Sequence, residues 1–171
     1  MSRVQMSESR IVTGRPCFLD EAVARLRVAL GDDLIGVVLY GSYARGEARE
    51  DSDVDLLVIA RGLPERWYER SVRVHRPLKE VAGTPPFSVL AKTPDEFERH
   101  FPSLYLDIGR DGIVLYDRDD YTARKLQRIR EIIAQAGLMR KRKNGDMNWV
   151  WQTPPKRHWE ITWEGFRELA R

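Results

Sequence analysis

The residues whose types and spacing could do chemistry are Gly41-Ser42 and, after ten intervening residues, Asp53 and Asp55, with Arg45 and Arg49 in the connection between them. Residues two apart in a strand share a face, so Asp53 and Asp55 point the same way while Val54 and Leu56 point into packing. Two carboxylates at one sheet edge repel each other and are costly there unless a cation or a basic side chain compensates them. A hard divalent ion, Mg²⁺ or Mn²⁺, meets that need. It takes oxygen ligands, keeps several waters and is usually held by one or two carboxylates plus the phosphates of a substrate. The Gly-Ser turn is the complement: a residue without a side chain lets phosphate approach backbone amides, and Ser42 adds a hydroxyl donor. Arg45 and Arg49 can meet phosphate oxygens in forked geometry. The pattern describes a site for a metal ion and a triphosphate.

Competing phosphate and metal motifs fail on their own residues. Gly41 to Gly46 matches the start of a P-loop, but Glu47 and Ala48 stand where Lys and Ser/Thr are required. Neither G-x-G-x-x-G nor H-E-x-x-H occurs, and His75, His100 and His158 are far apart in the chain, as surface or helix residues are. Cys17 is the sole cysteine, which removes any intrachain disulfide and any multi-cysteine metal site; it reads as a small packing residue.

The elements that must position these groups follow from periodicity. Residues 1–16, punctuated by Gly14 and Pro16, read as a loose segment. Apolar residues from Phe18 to Leu30 recur at three- and four-residue spacing and stop at Gly31, as in an amphipathic helix. The apolar runs Leu34 to Tyr40 and Val54 to Ala60 read as buried strands that deliver the Gly-Ser pair and the two aspartates. A helix over 65–81 follows Pro64, and a third strand, 87–92, follows a Gly-Thr-Pro-Pro turn. Thr93-Pro94-Asp95-Glu96 supplies a cap, a first-turn proline and acidic residues, so a short helix begins there. A helical stretch at 103–109, a strand at 113–116 and a basic helix at 121–136 ending at Gly137 complete the series. Beyond it, two runs flanking Asn144-Gly145-Asp146 signal a hairpin, and an amphipathic piece spans 163–169. The order implies an α/β (α+β) fold, a mixed sheet with flanking helices. It divides into a domain over 17–120 and a basic, tryptophan-rich extension of helix and β-hairpin over 121–171.

The wording Gly41-Ser42-Tyr43-Ala44-Arg45-Gly46, followed by Ser52-Asp53-Val54-Asp55-Leu56, resembles the signature of the DNA polymerase β-like nucleotidyltransferase superfamily, closest to its minimal nucleotidyltransferase branch. The resemblance covers about residues 18–117. It implies nucleotidyl transfer from a nucleoside triphosphate, ATP in this reading, to a hydroxyl acceptor. Gly41, Ser42 and Arg45 would lie at the nucleotide, and Asp53 and Asp55 would hold the metals. Such sites clamp an in-line displacement from both sides with two ions, and a third carboxylate normally enters from a later strand. Here Ser88 occupies the expected position, and a hydroxyl cannot act as a carboxylate base. One metal is therefore expected to bind well and a second weakly, with Asp107 and Glu80 as the alternatives for a third acid. Minimal members of this branch often pair with a HEPN-type protein, so a weakly active or inactive antitoxin or partner protein is the second reading.

The 171 residues carry 29 Lys/Arg and 26 Asp/Glu, a net charge of +3 too mild to name a partner. From Leu138 onward there are eight Lys/Arg against four Asp/Glu, a surplus of four, so the preceding residues sum to −1. That basic stretch also holds four of the five tryptophans, Trp149, Trp151, Trp159 and Trp163. Phosphates on Arg/Lys and bases stacked on indoles would make it a nucleic-acid surface; the competing reading is a hairpin packed on the domain by its tryptophans. No apolar run of 18 residues and no apolar leader before Phe18 occur, so a cytoplasmic protein without a membrane span is expected.

Overall fold

A computed structural model of the chain describes residues 11–12, 15–143, 145–156 and 158–169. Two short strands, β1 (Ile11–Val12) and β2 (Arg15–Pro16), pair where a loose segment was expected; most of residues 1–16 lie outside the described residues. Helix α1 (Cys17–Leu30) buries Leu19, Ala22, Leu26 and Leu30, one stripe at helical spacing. Cys17 is exposed rather than packed, because it lies off that stripe in the first turn.

The frame of the molecule is a four-stranded mixed sheet built from β3 (Leu34–Tyr40), β4 (Val54–Ala60), β5 (Phe87–Lys92) and β6 (Ile113–Asp117), in the order β5-β4-β3-β6. Strand β3 is antiparallel to β4 and β6, and β4 is parallel to β5. The connection from β3 to β4 opens with a short helix, α2 (Gly41–Ala44). Helix α3 (Trp67–Lys79) makes the crossover from β4 to β5, and α4 (Pro94–Arg99) and α5 (Leu104–Asp111) lie between β5 and β6.

Alternation along the central strands splits the core into two layers. Val37, Leu39, Val54, Leu56 and Val58 pack against the buried residues of α1 and α3. Val38, Leu57 and Ile59 pack with Phe97, Tyr105 and Ile108 and with Leu126 and Ile129 of α6 (Tyr121–Ala136). Both faces are covered, which is why β3 and β4 read as continuous apolar runs rather than alternating ones. Helices α5 and α6 cross at Gly109, where a Cβ would lie 2.2 Å from Ile129 Cγ2, so only glycine permits the approach.

Local chemistry fixes the helix ends. Thr93 and Glu96 form a reciprocal capping box, with Glu96 N 3.2 Å from Thr93 Oγ1 and Thr93 N 3.0 Å from Glu96 Oε2. The same Glu96 carboxylate accepts both Arg70 Nη atoms, at 2.7 and 2.8 Å, tying α4 to α3. Asp117, the last residue of β6, caps α6 by accepting from the backbone N–H of Thr122 and Ala123.

Beyond Gly137, β7 (Leu138–Lys143) and β8 (Asp146–Trp151) form the expected antiparallel hairpin; Asn144 of its turn lies outside the described residues. The stretch 163–169 is not an independent amphipathic piece. It forms the turn and second strand of another hairpin, β9 (Trp159–Thr162) with β10 (Gly165–Glu168). The amphipathic spacing arises because Phe166 packs inward against the first hairpin while Trp163, at the turn, reaches the main core.

Candidate active site

Strand register brings the sequence motif together. Tyr40, the last residue of β3, pairs with Asp55, and Asp55 pairs on its other side with Ser88 of β5. Asp55 shares a face with Leu57, the face covered by α4, α5 and α6, and Asp53 precedes the strand in the exposed approach to it. Gly41 follows Tyr40 at φ +71°, and a Cβ there would lie 2.1 Å from Asp55 Oδ2. The glycine is thus required twice, by its backbone conformation and by the carboxylate lying against it.

The electrostatics single out Asp55. Burial raises its pKa first, the neighbouring charge of Asp53 raises it further, and a hydrogen bond from Ser88 and the charge of Arg45 only partly offset this. Tyr40 is pushed up to about 12 by burial and by Asp55, so it remains a neutral hydroxyl beside the carboxylate. Arg45 closes α2, its Nε donating to Glu47 Oε2 at 2.9 Å and its Nη1 lying 3.8 Å from Asp111 Oδ2. Arg49 lies farther along the exposed loop, where its backbone N–H donates to Ser52 Oγ.

Ser88 stands beside Asp55 and donates its hydroxyl to that carboxylate. Each alternative acid is engaged elsewhere by an arginine. Glu80 pairs with Arg25 at 2.6 Å on the α1–α3 side, the opposite face of the sheet. Asp107 accepts from Arg140 Nη1 and Trp149 Nε1, both at 3.1 Å. Among the described residues no group of three His, Cys, Asp or Glu could hold a metal ion. The donor set is two carboxylates close enough for one to raise the pKa of the other, which fits one hard cation whose remaining ligands are water and phosphate.

These residues lie within a stretch that matches a known family. The family model described as "Nucleotidyltransferase domain" matches residues 21–133. The chain is a member of the nucleotidyltransferase family. It is 38% identical over 122 residues to "Putative protein adenylyltransferase MJ1305" of Methanocaldococcus jannaschii, covering 67% of this chain and 80% of that relative. A second protein of that organism, "Putative protein adenylyltransferase MJ0141", is 51% identical over 35 residues, covering 20% of this chain and 35% of the relative. Among solved structures, a chain of a toxin-antitoxin structure with AMP-PNP is 16% identical with a TM-score of 0.46, covering 67% of this chain and 86% of that one. A chain of the structure of tri-AMPylated Shewanella oneidensis HEPN toxin with MNT antitoxin is 14% identical with a TM-score of 0.44, covering 68% and 84%. Those two likenesses are too distant to speak for function.

Several residues of this nucleotidyltransferase's site neighbourhood had no sequence signal: Glu47, Asp111, Arg140 and Arg142. Arg140 bonds both oxygens of Asp111, and Arg142 Nη2 donates to Glu47 Oε1 at 2.8 Å. Arg140 and Arg142 are two apart in β7 and so share a face, but which body that face meets is not written in the sequence. The tryptophans are largely spent on packing. Trp149 donates to Asp107 and lies under Arg110 and Arg140, and Trp151 stacks on Trp159 and Phe166. Trp163 packs on Phe97, Phe101 and Tyr105 and donates to the carbonyls of Phe97 and His100. No described helix is long and apolar enough to cross a membrane.

Proposed function

We propose that this chain is a metal-dependent nucleotidyltransferase that moves AMP from ATP to a hydroxyl acceptor. The observation that carries the reading is the carboxylate of Asp55, lying against Gly41 and raised in pKa by burial and by the neighbouring charge of Asp53. The 38% identical relative, named for protein adenylylation, favours a protein side chain as the acceptor. Asp53 and Asp55 would hold a Mg²⁺ or Mn²⁺ ion, which supplies charge neutralisation at the phosphates. Gly41 leaves its backbone open to the triphosphate, Ser42 donates its hydroxyl, and Arg45 meets the charge gathering on the departing pyrophosphate. The acceptor oxygen bonds to the α-phosphorus, the bond to the bridging oxygen breaks, pyrophosphate leaves with that electron pair, and the hydroxyl proton goes to solvent. Ser88 provides no third carboxylate, so one ion is held firmly and a second weakly, and turnover is slow.

Incubating the protein with α-labelled ATP, Mg²⁺ or Mn²⁺ and candidate protein acceptors tests this. Label should pass to a hydroxyl and vanish in the Asp53→Asn, Asp55→Asn double variant. Calorimetry showing the same nucleotide affinity in that variant would overturn the site.

A second reading, a HEPN-type helical partner, is favoured by an exposed apolar groove of about 640 Å³ between α1 and α3, where Val28 is 88% and Val72 58% exposed. Co-expression with such a protein and measurement of complex size tests it; two species that elute separately would count against it.

A further inference from the structure

Arg45 is held by two carboxylates, and each is held in turn from the C-terminal hairpin. Its Nε donates to Glu47 Oε2 at 2.9 Å, and Glu47 Oε1 accepts from Arg142 Nη2 at 2.8 Å. Its Nη1 lies 3.8 Å from Asp111 Oδ2, and Asp111 takes both Nη atoms of Arg140. Arg140 is the buried member, with 6% of its side chain exposed; Arg142, at 53%, lies at the surface. Alternation on β7 turns these two arginines toward the body of the protein, with Lys141 between them exposed. From the paired strand, Trp149 joins the same face, its ring under Arg140 and its Nε1 donating to Asp107.

This arrangement has an electrostatic consequence. A triphosphate approaching α2 meets Glu47, Asp53, Asp55, Asp107 and Asp111 in one region, and such a cluster repels a polyanion. The hairpin contributes Arg140, which bonds Asp107 and Asp111, and Arg142, which bonds Glu47, so two positive charges offset part of the three carboxylates that are not in the Asp53–Asp55 pair. The positive charges beside it hold the Glu47 carboxyl below the usual carboxylate range, chiefly through its bond from Arg45, so it stays ionised and keeps bridging the two arginines. Without Arg142, Glu47 would face Arg45 alone and compete with phosphate for the same guanidinium.

We propose that the β7–β8 hairpin is a working part of the nucleotide site, with Arg142 on Glu47 and Arg140 on Asp111 as positioning residues that fix the Arg45 guanidinium and lessen the negative charge a triphosphate would meet there. The inference rests on Arg45 meeting phosphate, as in the reading above.

Calorimetry of the full chain with Mg²⁺ and AMP-PNP tests it, using Arg45→Ala, Arg142→Ala, Arg140→Met and the double variant Arg45→Ala, Arg142→Ala. Losing a charge-assisted bond to phosphate in Arg45→Ala should weaken binding roughly tenfold or more. Arg142→Ala should weaken it about threefold with an unchanged melting temperature, Arg142→Lys should recover most of that loss, and the double variant should bind no more weakly than Arg45→Ala. If Arg45→Ala weakens binding but Arg142→Ala binds like wild type, or its loss adds in full to that of Arg45→Ala, the role of the hairpin is overturned and the reading of Arg45 stands. If Arg45→Ala binds like wild type, both fall. Should Arg140→Met fail to fold, the surface residue Arg142 decides the question.

Discussion

At the sheet edge, Asp53 and Asp55 face one way with a serine hydroxyl and a more distant guanidinium for compensation, and the Asp55 carboxyl is held above its ordinary pKa by burial and by its neighbour. A short way off, Asp107, Asp111 and Glu47 are also grouped, but each accepts from an arginine: Arg140 for the first two, Arg45 and Arg142 for the third. The two regions share a residue type and differ in who supplies the cation. Around α5 the protein completes its own ion pairs, so those carboxylates are fastening points. At the sheet edge it leaves the pair short of charge, and a folded chain tolerates that where a ligand brings the missing cation. Acidic clustering in itself does not mark a site; incomplete compensation does.

The contrast can be broken most severely at the sheet edge. Replacing Asp53 and Asp55 by Asn should lower nucleotidyl transfer by about 10³-fold, the order expected for losing groups that act in the transition state, while the melting temperature stays the same or rises. A fall in both would mean that the pair is structural. Next comes the compensated cluster, where Arg140→Met takes from the part-buried Asp111 its two hydrogen bonds, leaving only Arg45 and Arg110 at 3.8 Å, and should cost about 3 kcal/mol of stability in denaturant unfolding. A loss below about 1 kcal/mol would show that water replaces the guanidinium there.

Gly41→Ala is expected to cost about 2 kcal/mol through its positive φ and to weaken Mg²⁺–nucleotide binding as well, because the added Cβ displaces Asp55. The smallest effect is the sharpest discriminator: the sign of the pH dependence. Asp55 has a native pKa above its unfolded value, so its contribution is favourable below the ordinary carboxylate range and is lost as pH rises through the native value. Glu96, pushed down to about 2 chiefly by the Arg70 side chain, contributes stability above that range that is lost as pH falls through about 2. Between about pH 3 and 7, where carboxylates titrate, Asp55→Asn should gain on wild type as pH rises and Glu96→Gln should lose. Parallel melting curves for the two variants would refute the assignment.

How much was legible in advance varied with the range of the interactions involved. Strands Leu34–Tyr40, Val54–Ala60 and Phe87–Lys92 and the helix ending at Ala136 match their expected bounds because each is set by local periodicity and by a glycine or proline next to it. The Thr93–Glu96 capping box was readable for the same reason. The stretch 163–169 was not, because Phe166 and Trp163 serve two different cores and their spacing imitates a helical face. The fate of Asp107 was equally hidden: its partners Arg140 and Trp149 lie 33 and 42 residues away.

The sequence by itself determined the motif, the family and the placing of two carboxylates at the start of one strand, since all three depend on residues close together in the chain. Only the tertiary structure decided that Ser88 lies against Asp55, that Asp55 lies over Gly41, and that Arg142 of a hairpin reaches back across 95 residues to Glu47 beside Arg45. Those facts depend on strand register and on which faces meet. Both are set by burying the whole apolar pattern at once, a condition that no local stretch of residues expresses.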